Sequence, residues 1–152
     1  VGMNMALALF IGPEDRPVSI VDEYEAAWRD AEHPGDPQTM IAVSAVCADS
    51  KEEAALIASS QAYWKVMAFR HGIREPLNSP EEALNLKASL SPSDQAYFDA
   101  TLASVIHGTP EQCETELSKL SERYRTNQLA LVTVTYDYAD RLASYERLST
   151  LL

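Results

Sequence analysis

Apolar runs alternate with amphipathic stretches along the chain, and that alternation predicts its elements. Four stretches read as buried strands: "MNMALALFI" at 3–11, "TMIAVSAVCA" at 39–48, "ASVIH" at 103–107 and "LALVTVT" at 129–135. The second and fourth are nearly continuous in hydrophobicity and rich in β-branched residues, as in strands covered on both faces. The first gives a mixed signal. Its Met, Ala and Leu suit a helix by propensity, while the Gly12-Pro13 stop favours a strand.

Helical patterns follow each strand. Residues 19–30 open with Ser19 three before Asp22, a cap-like start, and carry Tyr24, Ala27 and Trp28 on one side. A capping box from Ser50 to Glu53 opens a helix that runs to about Arg70. The excursion 71–93 holds two Ser-Pro starts, at Ser79 and Ser91, which predict short helices over 80–88 and 92–102. Thr109 to Gln112 is another capping box, with Pro110 where its missing N–H costs nothing. Cys113, Leu117, Leu120 and Tyr124 then mark the side of that helix that packs on a sheet. The last helix starts near Asp137 and shows Leu142, Tyr145, Leu148 and Leu152. The order β-α-β-α-(α-α)-β-α-β-α predicts a parallel sheet with right-handed crossovers.

Strand parity sorts the side chains further. Ser44 lies with Ala42 and Val46, opposite Ile41, Val43 and Cys47, and Thr133 shares a face with Thr135. Small and hydroxyl residues on one face suit a barrel interior or ligand cavity, while the large apolar face suits covering helices. Ala6, Ala42, Val46 and Leu131 are the expected inner-face residues.

Composition narrows the class. The chain has 152 residues, enough for a single domain over 1–152, with 46% apolar and 23% charged residues. No apolar run approaches the ~20 residues of a membrane helix. No basic segment precedes the first apolar stretch, which argues against a signal peptide. The net charge of −11 argues against a phosphate-tracking nucleic-acid surface. Cys47 and Cys113 form no CxxC and sit in apolar patterns, which predicts reduced core thiols of a cytoplasmic protein. The chain opens on Val1 instead of Met, so a processed or fragmentary product is one alternative.

The stretches "MALALFIGPE", "TMIAVSAVCADSKEEA", "SPEEAL", "VIHGTPEQCETELSKL" and "LALVTVTYDYADRLASYERLS" carry a resemblance in order and spacing. The chain resembles the C-terminal half of luciferase-like flavin-dependent monooxygenases. That resemblance implies an α/β fold: half of a (β/α)8 TIM-like barrel, four parallel strands with flanking helices, corresponding to barrel strands five to eight. It also implies FMN or reduced FMN as cofactor, a flavin reductase as a partner, and oxygenation of an organic substrate with O2. Much of the family's flavin site lies in the first half of the barrel, which has no counterpart here. Leu9 and Phe10 stand where many members place polar or His residues. The rival readings are a non-catalytic dimeric half-barrel that binds or scaffolds, and a proteolytic fragment of a full-length enzyme.

Candidate pocket-lining residues are Phe10, Ser44, His107, Thr133, Thr135 and Tyr136, at or near strand C-termini, where barrel enzymes place their chemistry. His107 is a pocket donor or proton carrier in one reading and a hydrogen-bonded end residue in the other. His33 and His71 make no metal spacing, and no metal site is expected. A helix N-terminus can bind phosphate at Gly108-Thr109, but Thr109 and Gln112 use its donors and Glu111 adds negative charge. That corner reads as architecture. Arg141, Ser144 and Tyr145 read as ties between the last helix and the sheet. Four strands of a barrel leave two edges and an inner face to cover, so a homodimer or a missing N-terminal half is the expected partner.

Overall fold

The computed structural model describes residues 2–151, so Leu152 lies outside the described residues. Its elements are β1 (Met5–Ala8), α1 (Ser19–Asp30), β2 (Thr39–Cys47), α2 (Lys51–Arg70), α3 (Pro80–Lys87), α4 (Pro92–Ser104), β3 (Ile106–Gly108), α5 (Pro110–Tyr124), β4 (Gln128–Val132) and α6 (Tyr138–Ser149). All four strands pair in parallel, as expected.

β2 is the centre of the sheet. On one edge β1 pairs from Met5↔Thr39 to Ala8↔Ala42, and on the other β4 pairs from Met40↔Gln128 to Ser44↔Val132. β3 pairs only with the end of β2, Ala45↔Ile106 to Cys47↔Gly108. Leu9 N–H donates to Ala42 O at 2.8 Å and Ala48 N–H donates to Gly108 O at 3.0 Å. Ala42 and Ala48 share parity, so β3 continues along the edge that β1 leaves. β3 therefore does not separate β2 from β4, and the four strands are not successive neighbours. The strand expected at 103–107 is also shorter and later. α4 runs through Ser104, whose Oγ donates back to Thr101 O at 2.7 Å, and the chain extends only at Val105.

Beyond the β4 ladder, hydroxyl groups take over that edge of β2. Thr126 Oγ1 donates to Thr39 O, Thr133 Oγ1 donates to Ala45 O at 2.9 Å, and Cys47 N–H donates to Ser144 Oγ at 2.9 Å. A buried strand needs such partners, because an unpaired peptide group away from water is costly.

The two faces of the sheet are covered differently. Ile41, Ala45 and Cys47 face α1, α5 and α6, where Val21, Cys113, Tyr124 and Leu148 are buried against them. The α5 stripe Cys113, Leu117, Leu120 and Tyr124 packs as its spacing predicts. Leu131 joins Cys47 and Cys113, so it belongs to this helix-covered face and not to the inner one. On the opposite face α2 covers Val46 and Ala48 through Ala54, Ile57 and Ala58. α2 also packs backward, Ala62, Tyr63 and Val66 meeting Ala83 of α3 and Phe98 of α4. Its burial on both sides explains why its sequence shows no single apolar stripe.

Most caps sit where the sequence puts them. Ser50, Ser79 and Ser91 accept from Glu53, Glu82 and Asp94 N–H, and Asp137 Oδ1 accepts from Ala139 N–H. Ser19 is different: it is already helical, because Val18 has helical dihedrals and Ile20 N–H donates to Pro17 O. The α6 stripe is rotated as well. Leu142 is 49% and Tyr145 42% exposed, while Ser144 and Leu148 face the sheet.

Ser144→Ala strips Cys47 N–H of its acceptor in the core. It should lower the unfolding free energy by about 1–3 kcal/mol. Ser149→Ala, which removes only an exposed bond to Glu146 O, should change it by less than ~0.5 kcal/mol. Urea titration of both variants is the check.

Candidate functional site

The C-terminal ends of β1 and β4 converge on the second half of α2. There Phe10, Ile11, Gln61, Trp64, Lys65, Phe69, Val132 and Val134 line a slot of about 180 Å³. The α2 residues are at i, i+3, i+4 and i+8, so one helix face supplies half of the wall. Val132 is in register with Ser44, and Val134 follows at the same parity. The slot thus belongs to the Ser44 face of the sheet.

Behind the apolar wall sits a small polar group. Ser44 Oγ donates to Gln61 Oε1 at 2.8 Å and lies 3.2 Å from Val132 O. Lys65, only 5% exposed, donates from Nζ to the Phe10 carbonyl and so ties the segment after β1 to α2. Burial pulls the Lys65 ammonium down to about 8, and the Glu14 carboxylate only partly opposes that. Sequence reading missed Lys65 and Gln61 because both look like ordinary polar positions of an amphipathic helix. The available signal was an unbroken small-and-apolar surround, from Ala54 to Ala68, that leaves α2 no solvent face there.

The six sequence candidates do not form one site. Phe10 lines the slot, and Ser44 supports it through Gln61. His107 lies in a separate groove of about 520 Å³ with Lys51, Glu111 and Glu116, its Nδ1 2.8 Å from Val105 O. Thr133 and Thr135 lie at odd parity, opposite Ser44 by the Ser44↔Val132 register, so the expected sharing of one inner face is corrected. Thr133 completes the edge of β2, and Thr135 Oγ1 donates to Asp137 O at 2.6 Å at the start of α6. Tyr136 is 56% exposed.

The Gly108 corner is filled by its own cap. Gln112 Oε1 accepts from Thr109 N–H at 3.0 Å, and Thr109 Oγ1 donates to Glu111 at 2.8 Å. A Cβ on Gly108 would stand 2.9 Å from Gln112 Cβ, so glycine is what admits the capping side chain. The bond from Thr109 holds the Glu111 carboxyl below its usual range, keeping an anion where phosphate would bind. His71, expected in a plain polar connection, instead lies 3.2 Å from Asp94, which also accepts from Arg70 and Ser91. This group joins the end of α2 to the start of α4. Among the described residues no group of three or more His, Cys, Asp or Glu side chains could hold a metal ion. No helix among them is long and apolar enough to cross a membrane.

Lys65 has a pH signature whose sign is fixed by burial. Its folded value of about 8 lies below its ordinary 10.5, so the unfolded chain binds more protons between them. The penalty is present in full below about 8 and fades as pH rises toward 10.5. Lys65→Met should therefore be more stable than the parent at pH 7, by up to about 3 kcal/mol before the lost Phe10 bond is counted. The difference should shrink toward pH 10.5, measured by denaturant titration of both proteins at each pH.

No family model matches the chain. It is 28% identical over 151 residues to the uncharacterized protein YceB of Bacillus subtilis, covering 99% of this chain and 44% of that protein. It is 30% identical over 129 residues to the uncharacterized protein YwcH of the same organism, covering 84% and 38%. The chain thus spans less than half the length of these curated relatives. Among solved structures, apo-MsnO8 superposes with a TM-score of 0.78 at 23% identity over 99% of this chain and 45% of its own. The monooxygenase RslO1 from Streptomyces bottropensis gives 0.59 at 16% identity, over 99% and 41%. The oxygenating constituent of 3,6-diketocamphane monooxygenase from Pseudomonas putida, solved with FMN, gives 0.55 at 15% identity, over 97% and 46%. A sheet of four parallel strands with six helices thus gives this protein a fold that it shares, over almost its whole length, with less than half of each of these solved proteins.

Proposed function

We propose that this chain is the C-terminal half-barrel of a luciferase-like flavin-dependent monooxygenase, a cytoplasmic protein whose chemistry needs the rest of the barrel. In this reading reduced FMN, delivered by a flavin reductase, reacts with O2 and oxygenates an organic substrate. FMN appears with the diketocamphane relative, and the fold likeness extends over nearly all of this chain.

The observation that carries the reading is the uncovered half of the sheet. α2 covers Val46 and Ala48, but lower on that face Ala6 and Gln128 are exposed, Met40 is 40% exposed, and Ala8, Ala42 and Ala130 are half-buried. β1 and β4 each pair on one edge only among the described residues. Both features match a sheet that continues into further strands. In this reading the missing surface is supplied by the N-terminal half of the barrel or by a second copy. The second reading, a non-catalytic dimeric half-barrel, draws on the apolar residues Leu9 and Phe10 past β1 and on the apolar surface of the slot.

Two measurements test the half-barrel account. Sedimentation equilibrium at micromolar concentration should give an assembly above 16.8 kDa; a folded monomer would count against the half-barrel account. Equilibrium dialysis against FMN should leave the isolated chain with little or no flavin. Stoichiometric retention would show that this half holds the cofactor unaided and would overturn the need for a second half.

A further inference from the structure

We propose that the slot between Phe10, Trp64, Phe69, Val132 and Val134 is a binding site for a neutral, single-ring or short-chain apolar group of a small organic ligand. The inference does not depend on the monooxygenase reading. It rests on size, wall chemistry and the state of the polar atoms behind the wall.

The volume is about 180 Å³, slightly more than the ~150 Å³ apolar cavity that takes up benzene in another protein. One ring fits. The three fused rings of a flavin, edged with nitrogen and oxygen, exceed the space and would find no exposed donors. The wall comes from three separate elements: the segment after β1, one face of α2, and β4 with its extension. Trp64 is fixed by its Nε1–H bond to Glu75 O at 2.8 Å and by an edge-on contact with Phe69 at 6.3 Å between centroids. Such a wall is rigid before any ligand arrives, which lowers the ordering cost of binding.

The polar floor is engaged in part. Lys65 Nζ is turned to Phe10 O, and Gln61 Oε1 accepts from Ser44. The surface that faces the slot is wholly apolar, so a ligand gains apolar burial, and a carboxylate entering it would lose water against that wall while Lys65 Nζ is turned to Phe10 O. Ile11 and Phe69, each 49% exposed, form the rim. This chemistry selects neutral aryl or alkyl groups.

Fluorobenzene is the probe, read by fluorine NMR against the whole chain. Saturable binding with a Kd on the order of 1 mM is expected for so few atoms. Benzoate should bind about tenfold more weakly or worse, a difference of ~1.4 kcal/mol. Val134→Trp should fill the slot and abolish binding. Phe69→Ala, at an exposed helix position that leaves the fold intact, should weaken it about threefold by removing one wall. Non-saturable uptake, benzoate equal to fluorobenzene, or fluorobenzene binding unchanged in both variants would each overturn the proposal. FMN dialysis reports separately on the flavin reading, so the two can fail independently.

Discussion

A central strand cannot leave buried peptide groups unpaired, and β2, covered on both faces over its second half, is the strand on which this constraint acts. Its one edge is satisfied by β1 and then β3, the other by β4 and then by the hydroxyls of Thr133 and Ser144. The second handover decides much of the surrounding structure. β4 diverges after Val132, and the space it vacates must be closed by something that carries a donor and an acceptor. Thr133 supplies the donor and Ser144 the acceptor, and the latter sets the rotation of α6 about its axis. Leu142 and Tyr145 are turned outward as a consequence, although simple apolar spacing would have turned them in.

That explains which parts of the fold were legible in the sequence. Strand and helix identities follow from periodicity and from Ser-Pro and capping signals, which act over three or four residues. The pairing of β3 does not, because "ASVIH" is apolar enough for a sheet neighbour and nothing local says that α4 will consume its first residue. The site was less legible still. Strand ends and parity point to Phe10 and Ser44, whereas parity alone places Thr133 in a cavity, because a hydroxyl in a strand looks the same whether it faces a ligand or a backbone carbonyl. Only register against Ser44 distinguishes the two.

α2 has an unusual position between two layers. It packs forward on Val46 and Ala48 and backward on α3 and α4, so it can neither tilt nor slide without disturbing both. The Arg70–Asp94–Ser91 contacts hold its last turn to α4, and the bond from Lys65 holds the segment after β1 to its middle. The buried thiols of Cys47 and Cys113 on the other face fit the same static role. Burial raises both, Cys113 to about 12, which keeps them protonated and unreactive.

The half of the sheet that α2 leaves bare has a consequence for colloidal behaviour. The chain carries −11, so two copies brought face to face concentrate twice that charge around an apolar seam. At ~0.15 M salt, charges more than about 8 Å apart are largely screened, but in dilute buffer they are not. In dilute buffer the acidic charge of one copy therefore opposes the approach of another, and added salt weakens that opposition.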